Sequence, residues 1–313
     1  MTAMALDGAP RALRLRVSDT LYRRRALLIL LLLVPPMLWV GVVYVGSLLA
    51  LLANSFFGLD HFTGQVQREI GFGNFVALLE GANIDVMLRT VSMAALVTVA
   101  CVVLALPIAW YMARYARGMT KAALYIAVML PLWSSYLVRL YAWKLLLAKE
   151  GAISWVLAEV HLTWVLDGLL AMPVIGGHSL SFSPLGTFIV FVYLWLPFMI
   201  LPVQAALERV PASLVEASGD LGAHPVTTFW RVVFPLAIPG IAAGSIFTFS
   251  LTLGDYIVPS VIGDSSKFIG QVVSLQQGTA GNVPLAAALS LVPIAVIGLF
   301  LWGAKRLGAF DAH

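Results

Sequence analysis

Charged residues are scarce in this chain of 313 residues. Only 11% of its residues are charged, whereas 61% are hydrophobic and the mean hydropathy is +0.95. Soluble proteins carry roughly 25% charged residues, because their surfaces face water. The composition therefore excludes an ordinary soluble domain and predicts a protein that lies within a membrane.

Residues suited to catalysis or metal binding are also few. Cys101 is the only cysteine and lies inside an apolar run, which excludes an intrachain disulfide and disfavours a thiolate metal site. The histidines form no close pair, no lysine follows a glycine as in a Walker A loop, and neither GxSxG nor HExxH occurs. We therefore expect no catalytic site, no metal site and no cofactor bound by this chain.

The chain contains several long apolar runs. Six of them reach the roughly 20 residues that a helix needs to cross about 30 Å of hydrocarbon. None alternates apolar and polar residues as a barrel strand would, and backbone groups in lipid must be satisfied within the segment. The expected fold is therefore all-α, a polytopic membrane protein with six transmembrane helices. The runs cover about 27–53, 90–112, 122–146, 185–206, 237–262 and 285–303.

Basic residues indicate which helix ends face the cytoplasm, because lysine and arginine collect on that side of membrane proteins. They occur before the first run at 23–25, after the second at Arg114 and Arg117, and after the sixth at Lys305 and Arg306. We therefore expect both termini in the cytoplasm, and the first run as an uncleaved anchor. The remaining segments are then a cytoplasmic N-terminal extension, a periplasmic loop and a cytoplasmic tail, at 1–26, 54–87 and 304–313.

A polar segment between the fourth and fifth runs is the most informative part of the sequence. From Glu216 to Pro235 it reads EASGDLGAHPVTTFWRVVFP. Pro211 can begin a short helix that Gly222 ends in a left-handed conformation, and Pro225 can begin a second helix that Pro235 limits. The pattern predicts a helix-turn-helix that lies across the membrane surface.

This segment resembles the EAA loop of ABC importer permeases. The resemblance is in the residues at 216–218, then Gly222, and then Val232, Phe234 and Pro235 at the family's spacing. The departures are mild, since the family usually has alanine at position 218 and often isoleucine at 232 and leucine at 234. The run pattern over 88–303 is similar to the core of type I importer permeases, with the coupling loop at 207–235.

The resemblance implies that the chain works within an assembly in a bacterial inner membrane. The other members would be a second permease subunit, which we expect to be a different chain, and two ATPase subunits that bind ATP and Mg²⁺. A periplasmic or lipid-anchored solute-binding protein would deliver the substrate. No nucleic acid is expected as a partner, and the loop would transmit ATP-driven closure to the pore.

Docking on an ATPase subunit needs small side chains for close approach and apolar side chains as anchors. Phe229, Trp230 and Val232 are the candidate anchors, although each side chain of the loop could instead stabilise the loop itself. The expected coupling residues are Glu216, Ala217, Ser218, Asp220, Gly222, Ala223, Pro225, Phe229, Val232 and Pro235.

The substrate class is indicated by two further segments. PLWSSYLVRLYAW at 131–143 and TLGDYIVPSVIG at 252–263 resemble segments of spermidine/putrescine importer permeases. Permeases for opines and other small organic solutes share parts of them. The resemblance favours a polyamine, and another small organic solute remains the alternative.

Asp255 is the only acidic residue within the predicted spans. Charged residues in spans usually face a cavity or a partner, and a carboxylate is a suitable contact for an ammonium group. Tyr256, Phe247 and Phe249 would add cation–π contacts if they share that wall. The alternative is a structural role for Asp255 at a helix end or in an interhelical hydrogen bond, with Arg139 or Lys144 as its partner.

Two other classes of membrane protein compete with the ABC permease. An ion-coupled secondary transporter often has two related halves and ion ligands within its spans, and neither is visible here. A membrane-embedded enzyme would need a nucleophile or a metal set, which the sequence does not offer. Copurification of an ATPase would separate the ABC permease from both.

Overall fold

The computed structural model describes residues 25–60 and 63–306. Most of the predicted N-terminal extension and the end of the predicted C-terminal tail lie outside the described residues. The described part is helical apart from one antiparallel hairpin, in which Gly58–Leu59 pairs with Val66–Gln67. The chain forms two compact units, of which the first ends at Ser55.

The first unit is an apolar helix in three consecutive segments. These are α1 (Arg25–Leu38), a π-helical segment (Trp39–Val45) and α2 (Gly46–Asn54). The stretch Ile29–Asn54 has a mean hydropathy of 2.2 over its most apolar window and is long enough to cross a bilayer. It coincides closely with the predicted first span.

The second unit contains the remaining helices. Its first part, after the hairpin, comprises α3 (Gly73–Leu78), α4 (Gly81–Arg114), α5 (Gly118–Trp133), α6 (Tyr136–Leu146), α7 (Ala152–Glu159) and α8 (Thr163–Leu170). A 3₁₀ turn (Leu180–Phe182) then leads to α9 (Pro184–Glu208), α10 (Ala212–Asp220), α11 (Pro225–Thr228), a π turn (Phe229–Val233), α12 (Phe234–Gly254), α13 (Ile257–Val261), α14 (Ile269–Gly278) and α15 (Val283–Arg306).

Helix α9 is at the centre of this unit and packs against α4 and α12. Phe191, Leu194 and Met199 of α9 are buried there. Two glycines of α12 permit the close approach. A Cβ at Gly240 would lie 2.5 Å from the carbonyl oxygen of Pro202, and a Cβ at Gly244 would lie 2.5 Å from the Met199 sulfur. The register of α12 on α9 therefore depends on the absence of these side chains.

The predicted third span, 122–146, is not one straight helix. Helices α5 and α6 meet at an angle of 96°. Ser134 and Ser135 between them are extended, with ψ values of 151° and 136°, and the Ser134 hydroxyl donates to the Pro131 carbonyl at 2.8 Å. Because serine side chains compete with the helix for backbone groups, this pair ends α5 inside an otherwise apolar run.

The predicted fifth span, 237–262, also differs from the structure. Helix α12 ends at Gly254, Asp255 is extended at its C-cap, and the short α13 follows. At the other end the helix begins earlier than predicted, since Pro225–Gly254 forms a 30-residue helical stretch. The sixth helix, α15, extends a few residues beyond both predicted limits.

Candidate functional site

The predicted helix-turn-helix is present at the coupling loop. Pro211 is extended and directly precedes α10, and Gly222 follows α10 with a φ of +78°. A side chain is strained in this left-handed conformation, which explains the glycine. Pro225 is the first residue of α11, where its missing N–H costs no helical hydrogen bond.

The expected end of the second helix at Pro235 is wrong. The chain continues from α11 through the π turn at 229–233 into α12, so that Pro235 lies in the first turn of α12. Proline has no backbone N–H and would interrupt the hydrogen bonds of an α-helix. The wider π turn before Pro235 accommodates it. The coupling loop is therefore joined to the membrane helix by continuous helical backbone.

Some of the predicted coupling residues stabilise the loop internally. The hydroxyls of Ser218 and Thr228 are hydrogen-bonded at 2.9 Å, which connects α10 to α11. Phe229 is half-buried and meets Trp110 of α4 edge-on, with 5.9 Å between ring centres. Arg114 also donates to the carbonyl of Val210 at 2.9 Å. These contacts fix the loop against helix ends that the sequence predicts to face the cytoplasm.

Other parts of the loop are free to meet a partner. Trp230 is 56% exposed, and Leu221, which the sequence analysis did not select, is 88% exposed beside the left-handed glycine. Its apolar character was visible in the sequence, but its exposure depends on how α10 packs. The remaining predicted coupling residues are exposed at Glu216, Ala217, Asp220, Gly222, Pro225 and Pro235 and half-buried at Ala223 and Val232.

A polar network that the sequence analysis missed lies at the start of the loop. Lys121 of α5 forms an ion pair with Glu208 at the end of α9. The Tyr125 hydroxyl donates to Glu208 at 3.4 Å and accepts a hydrogen bond from the buried amide of Gln204. The sequence signal for this network was weak, because each of its residues alone is typical of a helix end near the membrane surface.

The Asp255 carboxylate has three hydrogen-bond donors. One oxygen accepts from the backbone N–H groups of Ile257 at 2.7 Å and Val258 at 3.0 Å, and the other accepts from the Tyr136 hydroxyl. Asp255 therefore caps α13 and connects it to α6. Asp255 has the structural role that the sequence left open, but its side-chain partner is Tyr136. Neither Arg139 nor Lys144 forms an ion pair among the described residues.

The aromatic residues near Asp255 do not share one wall. Phe247 is 54% exposed and lies 6.4 Å from Phe198 between ring centres, whereas Phe249 is buried and stacks on Phe300 at 4.7 Å. Side chains two positions apart on a helix with 3.6 residues per turn point to different sides, which explains the separation. No ring contact joins Tyr256 to either phenylalanine among the described residues.

Tyr256 lines a cleft of about 370 Å³ at the end of α12, which we call the α12 cleft. Its other walls come from Gly254 and from α14 and α15, including Gly270, Ser274, Gln277 and Ser290. Gly270 permits this arrangement, since a Cβ there would lie 3.0 Å from the Asp255 carbonyl oxygen. Among the described residues, no three His, Cys, Asp or Glu side chains converge as metal ligands.

Residues 105–304 match the family described as "Binding-protein-dependent transport system inner membrane component". The chain belongs to this family. The coupling loop and the bent and broken helices therefore lie in a permease of the inner membrane, and the family is one of transport components rather than enzymes.

Two curated relatives are similar over most of this permease. It is 57% identical to "Inner membrane ABC transporter permease protein YdcU" of Escherichia coli (strain K12), over 95% of each chain. It is 31% identical to "Spermidine/putrescine transport system permease protein PotB" of the same organism, over 83% of this chain and 91% of the relative. Both are named as permease proteins.

A solved structure has the same fold. It is a chain of a bacterial alginate ABC transporter in complex with an alginate pentasaccharide-bound periplasmic protein. The TM-score is 0.69 at 16% identity, over 94% of this chain and 97% of the other. The type I importer permease fold expected from the sequence is thereby confirmed.

Proposed function

We propose that this permease forms the translocation pathway for a small organic cation, most specifically a polyamine such as spermidine or putrescine. The observation that carries the substrate class is the 31% identity with the spermidine/putrescine permease over 83% of the chain. The more similar relative, at 57% identity, supports the transport role without adding a substrate, because its name states none.

The proposed mechanism begins at the coupling loop. Two ATPase subunits, which bind ATP and Mg²⁺, receive the loop of this chain and the corresponding loop of a second, different permease chain. The continuous helical backbone from α11 through the π turn into α12 supports this role, because a displaced α11 would carry the start of α12 with it. A solute-binding protein outside the membrane supplies the substrate, and both termini lie in the cytoplasm.

The proposed substrate pathway passes the end of α12. Asp255 and Tyr256 lie where the helix is interrupted, and the exposed ring of Phe247 lies further toward the cytoplasm on the same helix. Breaks in membrane helices are tolerated where they are buried in protein or line water, which supports a pathway at this place. Phe249 contributes packing behind it, through Phe300.

A solute with a carboxylate, such as an opine, is the second candidate. Arg139 favours it, because its buried Nε has no acceptor among the described residues and its guanidinium lies 6.0 Å from the centre of the Tyr136 ring. Guanidinium groups bind carboxylates well. An amino acid conjugate would bring both an ammonium and a carboxylate to this region.

The test is the ATPase activity of the reconstituted complex with its solute-binding protein. Spermidine, putrescine, an opine and a neutral sugar are compared at saturating concentrations. Stimulation by the polyamines supports the proposal, and stimulation by the opine alone favours the second candidate. If no ATPase subunit copurifies with the chain, the ABC mechanism itself is contradicted.

A further inference from the structure

The α12 cleft has walls that offer hydrogen-bond acceptors. The last carbonyl groups of a helix lack partners within that helix. Here the carbonyl oxygens of Thr252, Leu253 and Gly254 accept no hydrogen bond from the described residues. Leu253 and Gly254 line the cleft, so that the end of α12 forms part of its wall. The C-terminal end of the helix also carries a partial negative charge, which favours a cation.

The other lining residues suit the same kind of ligand. Tyr256 is 48% exposed and presents its ring to the cleft, and cations bind over such rings at distances up to about 6 Å. Ser274 and Gln277 are exposed on α14 and add oxygen acceptors. No lysine or arginine lines the cleft to repel a cation. Its volume of about 370 Å³ is in the range of sites for small organic molecules.

The Asp255 carboxylate is turned away from this cleft. Its three hydrogen-bond donors belong to α13 and to Tyr136. Neither Asp255 nor Tyr136 is among the residues that line the cleft. The next residue, Tyr256, does line it.

We propose that the α12 cleft receives the ammonium group of the transported solute, which binds to the carbonyl oxygens at the end of α12 and to the face of Tyr256. Asp255 is a positioning residue for this site. The inference rests on the proposed function, since it assumes a cationic solute. A site without a charged wall binds an ammonium weakly enough to release it, as a transport pathway requires.

Two substitutions test the site in the complete complex reconstituted into proteoliposomes, with uptake of radiolabelled putrescine as the measurement. Tyr256→Leu removes the aromatic face, and we expect uptake at saturating binding protein to fall roughly three- to tenfold, the range expected for a cation–π contact. Tyr256→Phe keeps the face and should stay within about twofold of the unmodified complex. Equal losses in both variants would contradict recognition by the ring.

Gly254→Leu tests the carbonyl oxygens at the end of α12. A Cβ at this position meets no atom within 4 Å, so that the leucine side chain would fit there and extend over the cleft. We expect a loss of putrescine uptake, because the added side chain would cover the carbonyl oxygens at the end of α12. Gly298→Leu on α15 is the matched control, because its Cβ also meets nothing within 4 Å and Gly298 does not line the cleft. Normal uptake in Gly254→Leu and Tyr256→Leu would overturn the site.

The same assay separates this inference from the proposed function. If the unmodified complex takes up putrescine and the cleft variants do so equally well, only the cleft assignment fails. If the unmodified complex takes up no ammonium-bearing solute but transports the neutral sugar, the proposed substrate class fails and the cleft assignment fails with it.

Discussion

Gly222 is the residue on which the shape of the coupling loop depends most directly. Its φ of +78° allows the chain to reverse between α10 and α11. This conformation costs a residue with a side chain about 1–2 kcal/mol, which lowers the population of the correct turn roughly tenfold. The position is therefore sensitive to substitution although a Cβ placed there would meet no atom within 4 Å.

We expect Gly222→Asp to leave the protein in the membrane while putrescine uptake by the complex falls roughly tenfold relative to ATP hydrolysis. The ratio of solute transported to ATP hydrolysed measures this loss of coupling. Gly219→Asp is the control, because it adds the same charge at a helical position with open space around it. Equal uncoupling in both variants would assign the effect to charge instead of backbone conformation.

Asp255 is the second residue with a defined structural task. Asp255→Ala removes the acceptor for two backbone N–H groups and for Tyr136, and we expect it to lower the free energy of unfolding by about 1–2 kcal/mol, as for other lost helix caps. Asp255→Asn keeps an amide oxygen and should lose less. Thermal unfolding in detergent measures both.

The uptake assay then distinguishes position from contact at Asp255. If the carboxylate only positions α13, Asp255→Asn retains most of the putrescine uptake of the unmodified complex. A loss as large as that of Tyr256→Leu, in a variant of normal stability, would mean that the negative charge itself meets the solute.

At the scale of helices, a glycine explains how closely α9 and α12 pack. A Cβ at Gly240 would lie 2.5 Å from the Pro202 carbonyl oxygen and 2.6 Å from the Cβ of Ala206. Backbone atoms cannot move aside as a flexible side chain can. The two helices would therefore have to separate to admit even one methyl group.

We expect Gly240→Ala to destabilise the protein by about 1–3 kcal/mol, the usual cost of overpacking a well-packed interior. Gly298→Ala, where the added methyl group meets no atom within 4 Å, is the control and should have little effect. Thermal unfolding of the purified chain in detergent compares them. Equal stability of the two variants would show that α12 can shift on α9 without loss.

The helix positions were largely predictable from the sequence, whereas their interruptions were not. Apolar length determines where a helix can cross a bilayer, so the stretches 184–208 and 283–306 are close to their predicted limits. The bend at Ser134–Ser135 and the end of α12 at Gly254 depend on local hydrogen bonds to Pro131, Ile257 and Val258. Hydropathy carries no information about such bonds.

The backbone turns of the coupling loop were predictable from the sequence, but the orientations of its side chains were not. The turn at Gly222 and the start of α11 at Pro225 follow from backbone preferences that each residue has in any protein. Which side chains point outward follows only from packing. Phe229 is therefore half-buried against Trp110, Phe249 lies apart from Phe247, and Leu221 is exposed.

For the whole molecule, the distribution of lysine and arginine predicts the orientation in the membrane. If the coupling loop faces the cytoplasm, a cysteine that replaces Asp220 reacts with a membrane-impermeant maleimide only after the cells are opened. A cysteine that replaces Thr63, beside the hairpin of the predicted periplasmic loop, should react in intact spheroplasts. The reverse pattern would contradict the predicted topology.

The solitary thiol of Cys101 has a practical consequence at this scale. Its side chain is fully buried between α4 and α9, and its sulfur lies 3.8 Å from the Val192 carbonyl oxygen. We therefore expect the unmodified chain to react very little with maleimide spin labels and fluorophores. A pair of introduced cysteines, one at the coupling loop and one at the α12 cleft, would report the separation between them through each ATP cycle without a background of native labels to subtract.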